Sequence, residues 1–331
     1  MTEFNVEVVR LDSAEKHPNA DTLSVAHIHG GYPVVFKTDS YMLGEKVVYI
    51  PVDALVPLAD PRFSFLSETA GKEFYRIRAK KLRGIFSMGM LIPAEDEWGV
   101  GQNVQEALGI QKWEPPLPKG RNINAYSEQV RDPGVIPMYT DLESLRKYGH
   151  VLEEGEEVVI TEKIHGANAR YVYASGEFWC GSHRTFKKRD SRNLWWHLAE
   201  KYDLENKLSQ FPDIGIYGEA YGQVQDLKYG ANVDEVKLSA FDAYDSKQGR
   251  YLDYDDFAKL CAQIDIPVVP LLFRGPWNNG LRELAEGKST FADHVREGFV
   301  VRPIKERWHD KMGRVALKLV VQGYLLRKEG K

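Results

Sequence analysis

The stretch Thr161-Glu-Lys-Ile-His-Gly-Ala-Asn-Ala-Arg170 sets a single lysine in a turn between two strand-like runs. Val158-Val159-Ile160 before it is short, β-branched and apolar, as a buried strand requires, and Ala169-Arg-Tyr-Val-Tyr173 after it alternates as a second strand. Lys163 therefore ends one strand. Gly166 lets the backbone turn sharply or approach a ligand, and Asn168 can hydrogen-bond locally or reach a ribose. An amine attacks only when deprotonated, which burial and neighbouring cationic charge promote, so a lysine at a pocket wall can attack phosphorus and form a covalent enzyme–nucleotide intermediate. An isolated K-x-H-G also arises by chance, most often as a surface hairpin lysine, so the residues downstream decide.

Five later segments bear on this chemistry. Gly181-Ser-His-Arg-Thr-Phe-Lys-Lys-Arg-Asp190 is the strongest basic patch, with Arg184, Lys187 and Lys188 able to meet phosphate. Asp213-Ile-Gly-Ile-Tyr-Gly-Glu-Ala-Tyr-Gly222 is an apolar strand that ends in a carboxylate, Glu219, between glycines that let a ligand come close. Arg296-Glu-Gly-Phe-Val-Val-Arg302 again sets a carboxylate, Glu297, before glycine at a strand start, and Arg314-Val-Ala-Leu-Lys-Leu-Val320 brings in Lys318. Between them, Leu238-Ser-Ala-Phe-Asp-Ala-Tyr244 offers Phe241, by itself a core phenylalanine or an aromatic stack.

Glu162-Lys163-Ile-His-Gly-Ala-Asn168 resembles motif I of the covalent nucleotidyltransferases, in the K-x-H-G-x-N form of the RNA ligase 2-like group; DNA ligases and capping enzymes usually carry aspartate where His165 stands. The segments downstream resemble motifs Ia, III, IIIa, IV and V in the family's order, and the resemblance covers roughly residues 136 to 320. It implies Lys163 as the nucleophile. It also implies a nucleotide site built from Glu162, Asn168, Arg184, Glu219, Phe241 as purine stack, Glu297 and Lys318, with Glu219 and Glu297 holding Mg2+ or Mn2+ through water. The sequence departs from the family at motif V, where Ala316 and Val320 stand at positions that often carry a second lysine.

The N-terminal third reads differently. Asn5–Arg10, Leu23–His27, Pro33–Phe36, Lys46–Ile50 and Gly89–Ile92 are short candidate strands separated by turn chemistry, which favours a small closed barrel of the OB type. His17-Pro-Asn-Ala-Asp-Thr-Leu23 is similar to the opening of tRNA-binding OB modules. His27 and His29 alternate onto one strand face without a third metal ligand nearby, so a half-exposed strand pair is expected. Phe74-Tyr-Arg-Ile-Arg78 with Lys80 and Lys81 interleaves aromatic and basic residues; Arg76, Arg78, Lys80 and Lys81 join Lys187 and Lys188 as candidates for nucleic-acid contact. Trp113-Glu-Pro-Pro-Leu-Pro-Lys-Gly120 breaks both helix and sheet patterns and marks the start of a linker. Past it, Tyr139–Tyr148 is expected as a helix capped by Thr140 or Asp141, and Asn193 to about Leu208 as another, with Trp196 and Leu204 in its core.

The expected architecture is α+β: an OB-like β-barrel over 1–112, a linker over 113–135, and an antiparallel-sheet nucleotidyltransferase (ATP-grasp-like ligase) domain over 136–331. The 331 residues suffice for two cores; the formal charge of −4 argues against a bulk electrostatic nucleic-acid coat; and Cys180 and Cys261 lack disulfide or zinc spacing. No membrane-length apolar run or signal-peptide pattern is present, so a cytoplasmic, membrane-free protein is expected, acting as a monomer. The barrel precedes the catalytic part, and the sequence leaves no room after Lys318 for the C-terminal OB domain of DNA ligases and capping enzymes. That order resembles the Deinococcus-type RNA ligases. The implied activity is ATP-dependent joining of RNA 3'-hydroxyl and 5'-phosphate ends, at nicks in duplexes, through lysyl-AMP and RNA-adenylate, as in RNA repair. A DNA ligase or capping guanylyltransferase, and a non-catalytic OB-containing RNA-binding protein, are the alternatives; His165 speaks against the first two, and intact Lys163, Glu219, Glu297 and Lys318 against the last.

Overall fold

A computed structural model describes residues 4–66, 73–117 and 123–327. The chain forms two compact units, Met1–Glu114 and Pro115–Lys331.

In the first unit, Lys46–Ile50 is the central strand of a three-stranded antiparallel sheet with Glu7–Arg10 and Met90–Pro93 on either side. Its side chains alternate between two apolar clusters: Val48 and Ile50 pack with Val8, Val56, Phe63 and Ile92, whereas Val47 and Tyr49 pack with Val9, Ala26, Val34 and Leu91. Burial on both faces explains the unbroken apolar run. A meander of Ala14–Lys16, Leu23–Ile28 and Tyr32–Lys37, a sheet of Gln111–Lys112, Ala54–Pro57 and Phe74–Arg76, and a hairpin of Lys80–Leu82 with Ile85–Ser87 complete the unit. The short strands at 14–16, 54–57 and 80–87 escape the sequence reading because three or four residues are too few for a visible alternation. His17 is buried, its Nδ1 accepting from the Asn19 N–H and its Nε2 bonded to the Leu82 carbonyl, each at 3.0 Å, so it organises the turn. His29 leaves the strand with φ 50° and pairs with Glu7 at 3.2 Å, away from the alternation that would align it with His27.

The second unit holds two sheets. Seven antiparallel strands run in the order Gln129–Val130, Phe186–Lys187, Glu177–Ser182, Ala167–Ala174, Ile214–Gly222, Val236–Asp245, Arg250–Tyr251. Five more run Glu143–Ser144, Leu317–Val320, Gly298–Pro303, Glu157–Glu162, Leu271–Pro276, antiparallel except for the first pair. Helices Leu194–Lys201, Leu204–Ser209 and Tyr254–Gln263 cover the face of the larger sheet that carries Ala169 and Tyr171; Val172 and Tyr217 pack on its other side with Tyr139 and Ile136.

Three expectations need correction. The segment 113–135 is not a free linker: Trp113 lies under the Arg76 guanidinium, 3.1 Å from its ring centroid, in the first unit, while Ala125 is buried and Gln129–Val130 is a strand in the second. Pro118–Gly120 lie outside the described residues. The helix over 139–148 shrinks to Leu145–Tyr148, capped by Ser144, whose Oγ accepts from the Arg146 N–H. Thr140 instead bonds the Tyr251 hydroxyl, and Glu143–Ser144 is drawn into parallel pairing with Leu317–Lys318, which outcompetes local helix propensity. The helix from Asn193 is also interrupted: Asp203 takes φ 53°, so two helices stand where one was expected, both with their core residues Trp196 and Leu204 buried.

Candidate active site

Lys163 follows directly on the strand Glu157–Glu162, and its N–H donates to the Gly298 carbonyl at 3.0 Å. That bond ties the lysine turn to the residue after Glu297. The Lys163 Nζ lies 2.7 Å from Glu297 Oε1, with the two side chains 25% and 7% exposed. Gly298 cannot be replaced without moving this pair: its φ is 149°, and a Cβ would sit 1.9 Å from the Leu319 carbonyl oxygen of the neighbouring strand. Glu219 sits inside the strand Ile214–Gly222, opposite Asn168 in register, rather than at the strand's end. Gly166 permits that approach, because a Cβ there would lie 2.1 Å from the Ala220 carbonyl oxygen and 3.0 Å from the Glu219 Cγ. Three sequence-distant segments thus bring Lys163, Glu219, Glu297 and Asn168 to one place.

The electrostatics reverse one expectation. Burial alone would push the Lys163 ammonium down, but Glu297 and then Glu219 outweigh it and hold the lysine above its ordinary value, so the free site keeps its nucleophile charged. The carboxylates of Glu297 and Glu219 set its charge. Burial drives Glu219 the other way, up to about 8, with Lys163 opposing and Glu297 reinforcing the shift. Buried Glu297 Oε2 and Asn168 Oδ1 have no hydrogen-bond partner within the protein. Unpaired buried acceptors cost free energy unless a ligand answers them. Among the described residues no group of three His, Cys, Asp or Glu side chains is spaced to grip a metal directly. The donor set, two carboxylates and an amide oxygen turned inward, suits a hydrated hard cation beside a polyphosphate.

Phe241 occupies a β-bulge: Tyr217 pairs with Asp242 and Gly218 with Ala240, leaving Phe241 as the extra residue. Its ring meets Tyr139 at 4.8 Å, the same tyrosine whose hydroxyl donates to Asp242 at 2.8 Å. Behind it lies a buried charge cluster, in which Asp242 takes Arg314 at 2.6 Å and Arg302 at 2.8 Å, and Glu306 binds both arginines. Lys318 pairs in register with Val300, itself opposite Thr161, one strand-width at a time from the lysine strand.

Other candidates fall elsewhere. The Glu162 side chain is 0% exposed; Ser289 Oγ donates to it at 2.5 Å and the Thr290 N–H at 2.8 Å, so both oxygens are occupied, and its own N–H donates to the Pro270 carbonyl at 2.9 Å. Lys187 is buried against Trp195, 5.3 Å from the ring centroid, and burial holds its ammonium below the ordinary value; it is not a surface phosphate contact. Lys188 is exposed beside Glu128, and Arg184 is exposed in the turn after Ser182. In the first unit, Arg76 is held by Asp53 at 2.7 Å and by Trp113, whereas Arg78, Lys80 and Lys81 are exposed.

The sequence reading missed the surroundings of His165. Its Nε2 lies 2.8 Å from Asp226, its Nδ1 lies 3.0 Å from the Tyr324 hydroxyl, and its N–H donates to the Tyr229 hydroxyl at 2.6 Å. None of these partners is within sixty residues of it, and no local pattern announces them.

Residues 156–320 match the family model for RNA ligase. The second unit belongs to the RNA ligase family. Residues 5–94 match a model for an OB-fold domain, in line with the barrel expected there. The fold of the RNA ligase unit together with its barrel is shared with solved structures of Naegleria gruberi RNA ligase. A lysine-to-alanine variant with ATP and Mn superposes with TM-score 0.84 at 22% identity, covering 96% of this chain and 97% of that one. A lysine-to-methionine variant with AMP and Mn gives the same score, identity and coverage. Among curated proteins, the phenylalanine–tRNA ligase beta subunits of Syntrophus aciditrophicus and Protochlamydia amoebophila are 29% and 35% identical over 147 and 127 residues. These stretches are 43% and 37% of this chain but only 16% and 14% of those subunits. No helix among the described residues is long and apolar enough to cross a membrane.

Proposed function

We propose that the chain is an ATP-dependent RNA ligase that joins 3'-hydroxyl to 5'-phosphate RNA ends, at nicks in duplexes, as a monomeric cytoplasmic repair enzyme. The observation that carries this reading is the buried Lys163–Glu297 contact with Glu219 beside it, inside an RNA ligase domain. The structural relatives that hold ATP and Mn support the same donor and a divalent cation, Mg2+ or Mn2+, here.

Glu219 and Glu297 would hold the cation through water, with the unpartnered Glu297 Oε2 and Asn168 Oδ1 as the acceptors that fit it or a ribose hydroxyl. When bound, the cation would supply positive charge against the phosphates and the two carboxylates. Lys163 must lose its extra proton before it attacks. Its Nζ then forms a bond to the α-phosphorus of ATP, and the bond to the bridging oxygen breaks, its electron pair leaving with pyrophosphate. AMP passes to the RNA 5'-phosphate, freeing the lysine, and the adjacent 3'-hydroxyl attacks that phosphorus and expels AMP. Phe241, aimed by its bulge, is proposed to stack on the purine, and Lys318 to neutralise the α-phosphate. Arg184 would take a phosphate or ribose edge, and the exposed Arg78, Lys80, Lys81 and Lys188 would hold the polynucleotide backbone.

The test is incubation with α-labelled ATP and divalent metal, followed by nicked duplexes with ribose or deoxyribose at each end. The expected result is a labelled protein that Lys163→Ala and Lys163→Arg abolish, since arginine keeps the charge but never deprotonates. A wild-type protein that takes up no label, or a variant that labels as well, refutes the reading.

A further inference from the structure

The C-terminal segment reaches the lysine turn by two routes. Along one, the Val321 N–H donates to the Glu297 carbonyl at 2.9 Å, fixing the carboxylate that faces Lys163. Along the other, the Tyr324 hydroxyl meets His165 Nδ1. Arg327 closes the second route: it grips both oxygens of Asp226 at 3.1 Å each, donates to the Tyr324 carbonyl at 2.9 Å, and stacks its guanidinium 3.5 Å from the Tyr324 ring centroid. Asp226 in turn holds His165 Nε2.

Both ring nitrogens and the backbone N–H of His165 are therefore bonded, by Asp226, Tyr324 and Tyr229, from two segments remote in sequence. With both nitrogens held, the ring cannot rotate or tilt without breaking a hydrogen bond, while the N–H bond to Tyr229 pins the backbone, and Lys163 is two residues away on the same turn. Where other branches of the superfamily carry an aspartate, this chain has an imidazole with a carboxylate behind it.

We propose that Asp226, Tyr324 and Arg327 are positioning residues for nucleotidyl transfer: by fixing the imidazole of His165 they hold the K-x-H-G turn so that Lys163 is presented to the α-phosphorus. This rests on the ligase reading above. The surrounding charges agree with it. Burial raises the Asp226 carboxyl, but Arg327 and His165 outweigh that and keep it ionised, while burial, opposed by Glu297 and aided by Lys163, holds the imidazole below its ordinary value. The assembly is then a carboxylate, a neutral imidazole donating through Nε2, and a phenol donating to Nδ1.

The role belongs to the steps in which Lys163 makes or breaks a bond, and not to attack of the 3'-hydroxyl on RNA-adenylate, where the lysine takes no part. The experiment uses the full chain and the variants Tyr324→Phe, which keeps the ring and its stack, and Asp226→Ala. Single-turnover labelling with α-labelled ATP should slow about 10- to 100-fold at saturating ATP, as a misplaced nucleophile does, with the half-saturating ATP concentration changed less than about threefold. Sealing of a pre-adenylylated RNA nick should fall less than about threefold, which also shows that the variants fold. Labelling at the wild-type rate in both variants overturns the proposal, and so does a parallel loss of labelling and sealing, the mark of a purely structural role. A wild-type protein that is never labelled overturns the ligase reading and this proposal with it.

Discussion

Lys163 Nζ and Glu297 Oε1 stand 2.7 Å apart in a largely buried site, and the backbone bond from Lys163 N–H to Gly298 makes that separation a property of the fold. The pair is a resting state. A lysine held this way is a poor nucleophile until the negative charge around it is offset, so the same contact that places the amine also restrains it.

The restraint is measurable without ATP or metal. In the metal-free protein, Lys163 should react slowly with an amine-selective acylating reagent at pH 8. Glu297→Gln removes the larger of the two charges that raise the lysine, so its pKa should fall and acylation should quicken, roughly tenfold for each pKa unit lost. Peptide mass spectrometry across pH 7 to 10 reads this out; a variant no more reactive than the wild type shows that Glu297 does not hold the amine charged.

Glu219 should lower the stability of the free protein in neutral and alkaline solution. Its folded pKa, about 8, is above the carboxylate reference of 4.5, so between those values the native state binds the extra proton and stability falls as pH rises. Glu219→Gln cannot ionise, so it should melt higher than the wild type above pH 8, by roughly 2–4 °C per kcal/mol recovered, with the gap closing below pH 5. Thermal melts at several pH values check the sign. Labelling by ATP should fall in the same variant, with partial rescue at high metal concentration.

Truncation should respect the second unit's true edge. A fragment starting at Pro115 keeps buried Ala125 and the strand Gln129–Val130, whereas one starting at Ile136 loses both, along with the Asn193 side chain's bonds to Asn124 and Ser127. The longer fragment should be soluble and form lysyl-AMP but seal nicks far less well than the full chain, because the exposed Arg78, Lys80 and Lys81 are gone. The shorter one should be less stable by about 2 kcal/mol or more, as loss of buried apolar contacts and of capping partners dictates. Urea unfolding and adduct yield compare the two, and equal stability would show that 115–135 contributes nothing to the core.

The residues proposed to do chemistry could be picked out in the sequence because each lies in a short local pattern, a carboxylate next to a glycine or a lysine within or at the end of an apolar run, in a fixed order. Lys163 follows its strand, Glu297 stands just before one and Lys318 lies within one, as expected, whereas Glu219 sits inside its strand rather than at the end. Gly166 and Gly298 explain why the patterns are tight, since neither position has room for a Cβ. Tertiary structure alone decided what those residues feel. Charge on Lys163 depends on which groups come within a few ångströms, and Glu297 is 134 positions away in sequence. Glu162 was indistinguishable from a ligand until Ser289 and Thr290 claimed its oxygens, and Lys187 from a surface cation until it folded under Trp195. The helix expected over 139–148 yielded to a strand pairing with Leu317–Lys318 that no local window contains. His165 is the clearest case: its identity carries the resemblance to one branch of the superfamily, but its partners Asp226, Tyr229 and Tyr324, and the Arg327 that grips Asp226, meet only in the folded chain, because hydrogen bonds and Coulomb forces act through space and sequence records only order.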